Sequence, residues 1–316
     1  MREIGGYFEL DMYQLPMLHE NALKFNCGRN CLAYLIEKRN IKKILLPYYI
    51  CDSVTDICKK YKLDIAYYHI DSNFIPKDIE FDDESYLYIV NYFGQLTYKQ
   101  KKELKHKYKK IIIDNTQAYF DKPLKNCDNL YSSRKYFGVP DGALLYTNVI
   151  GNYNNLENEV VFDRMGHILG RYEKNASDFY KLFVENDEKF CNSSIKKMSK
   201  ITENLLHAID YKTVKCIRNR NYEYLYSKLK EINKLKLKKI SGAYCYPLYI
   251  ENADAMRNKM IKNKIYVPTL WPNVINDLGE ETLEYKFAKN ILPLPCDQRY
   301  TIEDMQKIIK IIIDSM

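Results

Sequence analysis

The stretch Ile111-Ile112-Ile113-Asp114-Asn115-Thr116-Gln117 decides the fold. Three β-branched residues in a row read as a short strand buried on both faces, which is what a parallel sheet requires. The strand ends on a carboxylate, and in an open α/β sheet ligands bind beyond the carboxyl ends of the strands. Lys43 to Leu46, Leu63 to His69 and Tyr86 to Asn91 read as further strands, and Arg29 to Glu37, Ser53 to Lys60 and Lys99 to Tyr108 as the helices between them. This alternation, from about residue 20 to 150, predicts a mainly parallel sheet covered by helices on both faces.

Beyond about residue 157 the character changes. Residues 157 to 237 are charged and helical, with Tyr222, Leu225, Leu229 and Ile232 spaced near the helical period. After Ser241-Gly242, Ala243 to Ile250 reads as a strand, Asn252 to Asn263 as a helix and Lys264 to Val267 as a strand. A closing helix runs from Ile302 to Ile312, with Thr301 as its N-cap and Glu303 and Asp304 favourable in its first turn. The predicted division is a large α/β domain over residues 1–237, with an N-terminal arm at about 1–20, and a small α+β domain over 238–316.

The chain has 316 residues and a formal net charge of +8. That charge is spread through Lys-, Asn-, Ile- and Tyr-rich sequence without a nucleic-acid-binding motif, so it does not argue for a nucleic-acid partner. The nine cysteines include one close pair, Cys27 and Cys31, with no second pair to complete a zinc site, and no metal is expected. The segment Met1 to Gly6 has no apolar signal region, and no apolar run is long enough to span a bilayer. The expectation is a cytoplasmic protein with reduced thiols and no membrane partner.

The chemistry gathers around a second stretch, Leu130-Tyr131-Ser132-Ser133-Arg134-Lys135-Tyr136-Phe137-Gly138-Val139-Pro140-Asp141-Gly142-Ala143. A hydroxyl residue stands three positions before Lys135, a turn with Pro140 and Gly142 follows, and Ala143 to Tyr146 begins another strand. A third stretch, Asn26-Cys27-Gly28-Arg29-Asn30-Cys31-Leu32, puts glycine just ahead of a helix, where backbone N–H groups and the helix dipole favour an anion. A buried lysine, a carboxylate and a phosphate-sized anion site are together what pyridoxal phosphate needs. They supply an amine for its Schiff base, an acid for its pyridinium nitrogen and donors for its phosphate. Gln117, about one helical turn beyond Asp114, is placed to reach the ring's phenolic oxygen or face. Taken singly each has a plainer reading: Asp114 as a helix cap, Gln117 as a polar first-turn residue, Ser132 and Ser133 as ordinary loop serines.

Together with Val90-Asn91-Tyr92-Phe93-Gly94 and the tail Leu292-Pro293-Leu294-Pro295-Cys296-Asp297-Gln298-Arg299-Tyr300, these stretches resemble fold-type-I pyridoxal phosphate enzymes. The nearest likeness is to the DegT/DnrJ/EryC1/StrS aminotransferases, many of which act on nucleotide-linked keto-sugars. The resemblance covers most of residues 20–150 and returns near the C-terminus, and is poor from about 155 to 200. It implies that Lys135 binds the cofactor and then serves as general base and acid. It implies that Asp114 pairs with the pyridinium nitrogen, that Gln117 contacts the ring oxygen, and that Gly28, Arg29, Asn30 and Ser132 hold the phosphate. After Pro47 the family places an aromatic that stacks on the ring; that position here is Tyr49 or Cys51, and Tyr49 is the reading with a π-face. The family's Asn-Tyr-Arg loop has no clean counterpart around Gly170-Arg171-Tyr172. Trp271 and Arg299 are candidates to border the substrate. Related sugar dehydratases carry histidine in place of the lysine, so Lys135 implies transamination. The implied enzyme is a homodimeric aminotransferase that moves an amino group from an amino acid, glutamate, to a nucleotide-linked keto-sugar in surface polysaccharide synthesis. A lyase or condensing enzyme on the same fold, and a non-catalytic binding protein that keeps it, are the alternatives.

Overall fold

The computed structural model describes residues 4–315, so the first three residues of the expected arm, and Met316, lie outside the described residues. The first half of the chain alternates as β1 (Leu23–Phe25), α1 (Gly28–Arg39), β2 (Lys43–Pro47), α2 (Asp52–Lys60), β3 (Asp64–Ile70), β4 (Pro76–Lys77), β5 (Tyr86–Val90), α3 (Tyr98–Tyr108), β6 (Ile111–Asp114), β7 (Asp128–Ser132) and β8 (Ala143–Tyr146). Four helices follow: α4 (Gly166–Glu173), α5 (Tyr180–Glu188), α6 (Lys200–Leu206) and α7 (Tyr211–Leu229). The chain closes with β9 (Tyr246–Tyr249), α8 (Ala253–Lys262), α9 (Pro272–Asp277), α10 (Leu283–Asn290), β10 (Ile291–Leu294) and α11 (Ile302–Ile313).

The first eight strands form one sheet in the order β1-β8-β7-β6-β5-β2-β3-β4. Neighbours from β7 through β3 are parallel, and β8, β1 and β4 add antiparallel pairs at the two sides. The central strands are continuous apolar runs because helices flank the sheet and leave no wet face to alternate toward. β3 lies on one side of β2, whereas β5, β6 and β7 extend from its other side, so the winding reverses between β2 and β5. Register puts Val90 opposite Asp114 and Asp114 opposite Leu130, so three strands end side by side.

A separate antiparallel pair, β9 with β10, makes the smaller sheet. Leu225 and Leu229 of α7, Met260 of α8 and Met305 and Ile312 of α11 pack with it, so the second core borrows the end of α7. The closing section divides its packing. Val274, Phe287 and Ala288 of α9 and α10 belong to the larger core. Glu284, 1% exposed, accepts from the Ile70 N–H at 2.8 Å and lies 3.1 Å from His69 Nδ1, fastening α10 to the end of β3.

The strand expected at Lys264 to Val267 does not form. Lys264 has a left-handed backbone, φ +59°, and Pro268 follows, so the segment cannot extend a ladder. The strand expected from Ala243 contracts to β9. β7 and β10 were not foreseen: Asp128 and Asn129 disguise the first, and Pro293 the second. Thr301 does cap α11, and its N–H donates to Asp304 Oδ2 at 2.9 Å. Among the described residues, no helix is long and apolar enough to cross a membrane.

Candidate active site

A cavity of about 230 Å³ opens where β5, β6 and β7 end. Val90, Asp114 and Leu130 line it, with Ile50 and Cys51 from beyond β2, which places it at the reversal of winding. Asp114 is 6% exposed. Its Oδ2 accepts from the Tyr88 hydroxyl at 3.0 Å and its Oδ1 from the Thr116 N–H at 2.8 Å. Burial, and then the carboxylate beside it, push the Tyr88 phenol well above its ordinary pKa, so it stays a donor. One donor on each oxygen fixes where this carboxylate points.

Lys135 closes a one-turn 3-10 helix, Ser133–Lys135, that begins as β7 ends. Gly142 makes that turn possible: its φ is +112°, and a Cβ there would sit 2.9 Å from Thr202 Cγ2. Its carbonyl accepts from the Ser133 N–H at 3.1 Å, and its own N–H donates to the Asn26 carbonyl at 2.7 Å, tying the lysine turn to the approach to α1. Just after the lysine, the Tyr136 carbonyl accepts from Nη2 of the buried Arg218 at 3.1 Å and from Gln298 Nε2 at 2.8 Å. The lysine side chain itself is exposed, which corrects the expectation of a buried lysine. A short turn at the cavity mouth carries it, and its amine donates to Thr116 Oγ1 at 3.2 Å. Thr116 thus joins amine and carboxylate through a single residue.

At the other end of the cavity, α1 starts at Gly28 with no side-chain cap from Cys27. Among the described residues the N–H groups of Gly28 and Arg29 find no acceptor, and both residues line the cavity. A Cβ on Gly28 would meet nothing within 4 Å, so the approach to these amides is open. The guanidinium groups of Arg29 and Arg134 share one carboxylate, Asp187 of α5, at 3.6 and 2.9 Å. Burial alone would raise the Asp187 pKa, but Arg134 and Arg29 outweigh it and hold the carboxyl below its ordinary value. Open helix amides, two arginines and the Ser132 hydroxyl make a donor set suited to a phosphate. With Asp114 for a ring nitrogen and Lys135 for an aldehyde, the residues present fit pyridoxal phosphate. Among the described residues, no group of three or more His, Cys, Asp or Glu side chains is placed to hold a metal ion.

Of the residues singled out from sequence, Lys135, Asp114, Gly28, Arg29 and Ser132 line this one cavity, and Gln117, Asn30 and Tyr49 do not. Gln117, 2% exposed, accepts from the Phe93 N–H at 2.8 Å and so braces the turn after β5. The Asn30 backbone N–H, the group expected at the phosphate, donates to the Cys27 carbonyl at 3.2 Å, and its side-chain amide donates to Asn26 Oδ1 at 2.9 Å and to the Ser194 carbonyl at 2.7 Å. A tight turn, with the Ile50 N–H on the Tyr48 carbonyl at 3.1 Å, breaks the strand alternation after Pro47. It leaves Tyr49 fully buried against Tyr92 and Cys51 on the cavity wall, which corrects the choice of Tyr49 over Cys51. Trp271 lines the cavity, whereas Arg299 is held by Asp297 at 2.7 and 2.8 Å and does not. Arg171 and Tyr172 are exposed on α4. Sequence reasoning missed Tyr88, Thr116, Arg134 and Asp187. Arg134 could have been noticed beside the lysine; nothing local marks Asp187.

No family model and no curated protein sequence matches this chain. Solved structures do. A DegT DnrJ EryC1 StrS aminotransferase from Brucella abortus is 14% identical with a TM-score of 0.64, the match covering 93% of this chain and 85% of that one. A Helicobacter pylori aminotransferase involved in the biosynthesis of pseudoaminic acid is 13% identical, TM-score 0.64, over 93% and 86% of the two chains. The E coli GDP-4-keto-6-deoxy-D-mannose-3-dehydratase, solved with bound hydrated pyridoxal phosphate, is 14% identical, TM-score 0.63, over 92% and 87%. This chain therefore has the fold-type-I architecture shared by the DegT/DnrJ/EryC1/StrS aminotransferases and that dehydratase.

Proposed function

We propose that this chain is a pyridoxal-phosphate-dependent aminotransferase whose active site is the cavity at the ends of β5, β6 and β7. The observation that carries the reading is convergence: Lys135, Asp114 and the open start of α1, flanked by Arg29 and Arg134, all line one cavity. The amides of Gly28 and Arg29, both guanidinium groups and Ser132 would hold the phosphate. Asp114, fixed by Tyr88 and the Thr116 N–H, would keep the positive charge on the ring nitrogen. Gln117 and Asn30 would act one step back, on the Phe93 turn and the approach to α1.

When bound, the cofactor supplies an electron sink for the substrate's α-carbon and a carrier for the amino group. Lys135 Nζ, the amine nearest the cavity's carboxylate, would be the general base that takes the proton from the donor's α-carbon and the general acid that returns it. Thr116 Oγ1 accepts from that amine at 3.2 Å while the Thr116 N–H donates to Asp114, so one residue orients the amine relative to the carboxylate. The same residues run in reverse when the amino group passes to the acceptor.

We infer glutamate as the donor and a nucleotide-linked keto-sugar of surface polysaccharide synthesis as the acceptor; the sugar-modifying enzymes among the similar structures support that class. A homodimer is supported by apolar side chains left exposed on and around α4 and α5, among them Phe162, Leu169, Tyr172 and Tyr180. Nine free thiols suit a reducing cytoplasm. Adding glutamate to the cofactor-loaded protein should abolish its visible absorbance and release 2-oxoglutarate. No conversion with any amino donor would overturn transamination and leave a lyase or condensing reaction. A protein that takes up no cofactor would be a non-catalytic binder.

A further inference from the structure

We infer that Trp271 is the aromatic cover of the cofactor ring, replacing the side chain that the end of β2 does not supply. The inference rests on the cofactor reading above. Beyond β2 the cavity wall is Ile50, Cys51, Ser53 and Val54, none of which offers a π-face, while the nearby Tyr49 is turned into the core. Trp271 and Leu270 line the same cavity from a different part of the chain.

Their seat is on residues 49–51. Asn273 Nδ2 donates to the Ile50 carbonyl at 2.9 Å, and the Trp271 ring meets Tyr49 edge-on at 5.0 Å and 64°. Pro272 starts α9 with its backbone set for a helix, and Val274, 1% exposed, plugs that helix into the larger core. Glu284 then fastens α10 to the end of β3. Trp271 is therefore carried by the parallel-sheet unit, although it comes from the last quarter of the sequence. The other aromatic residues lining the cavity have other places. Tyr88 gives its hydroxyl to Asp114, and Tyr244 packs toward the lysine side, 6.0 Å from Tyr136. A protonated pyridine ring is electron-poor, and indole is the most favourable aromatic face for it.

The test compares dissociation constants for pyridoxal phosphate and inorganic phosphate in wild type, Trp271→Phe, Trp271→Leu and Trp271→Leu with Cys51→Tyr. Trp271→Leu should weaken pyridoxal phosphate about tenfold. It should leave inorganic phosphate, which has no ring, within about twofold. Trp271→Phe should retain most of the affinity, and Cys51→Tyr should restore what Trp271→Leu loses. Equal loss of both ligands, or no rescue by Cys51→Tyr, would overturn the inference. A second measurement needs no variant: Trp271 is the chain's one tryptophan, so 5-fluorotryptophan labelling gives one fluorine resonance. It should shift with pyridoxal phosphate and stay put with inorganic phosphate; a resonance unmoved by the cofactor would overturn the inference. If wild type shows no visible band with pyridoxal phosphate, the cofactor reading fails. If the band forms and Trp271→Leu binds as wild type does, only the role of Trp271 fails.

Discussion

Replacing Asp187 by asparagine should tighten anion binding at the start of α1. The carboxylate lies 2.9 Å from Arg134 Nη1 and 3.6 Å from Arg29 Nη2. Both arginines line the cavity with the open amides of Gly28 and Arg29, so a phosphate bound there competes with Asp187 for its cations and is repelled by it. At roughly 7 Å and an effective dielectric of about 50, a carboxylate and a phosphate dianion repel by about 2 kcal/mol. The Asp187 side chain is 46% exposed, so water and salt reduce this to about 1 kcal/mol, a factor of about five in affinity. Asparagine keeps the size and frees both guanidinium groups. Calorimetric titration of the cofactor-free protein near neutral pH, with inorganic phosphate and with pyridoxal phosphate, reads the effect directly. Both ligands should gain about fivefold, and the gain should shrink as salt is raised. Unchanged or weaker phosphate binding would refute the reasoning: Asp187 would then be organising the arginines, or the anion would sit elsewhere.

Two further perturbations address the carboxylate and the core. Asp114→Asn keeps the shape but removes the charge facing the ring nitrogen, and the glutamate half-reaction should slow about a hundredfold in stopped-flow absorbance. Tyr88→Phe removes one hydrogen bond to that charge and should slow it about tenfold; an Asp114→Asn rate within threefold of wild type would contradict the role. His19 is buried, with Nε2–H donating to the Tyr119 carbonyl at 2.6 Å, and burial lowers its pKa from 6.5 to about 4. The unfolded chain therefore binds the proton first as pH falls. Stability is intact above about pH 6.5 and is lost between there and about pH 4, by about 2 kcal/mol at about pH 5. Urea midpoints at neutral pH and near pH 5 should fall more for wild type than for His19→Gln, and equal falls would remove His19 as the cause.

Legibility in the sequence followed how local each cause is. β6 is readable because three isoleucines in a row permit little else, and Asp114 keeps its place at the strand end in space. Lys135 is readable from its neighbours, but its exposure is not, because the turn that carries it rests on Gly142 and Thr202. The π-face that favours Tyr49 over Cys51 says nothing of where the backbone turns, and the Tyr48–Ile50 turn buries Tyr49 and leaves Cys51 on the cavity wall. Gln117 and Asn30 choose partners 24 and 164 residues away, which no short motif encodes. Asp187 comes from the section with the poorest resemblance, and Trp271 reaches the cavity only because α9 and α10 pack back onto the larger core.

The central claim is that Lys135 is the residue that binds the cofactor. Incubating the protein with pyridoxal phosphate, reducing with borohydride and locating the phosphopyridoxyl group by peptide mass spectrometry tests it most directly. The account predicts a single labelled site, Lys135, and neither label nor visible band in Lys135→Ala. Label on another lysine, or scattered over the surface lysines, would contradict it.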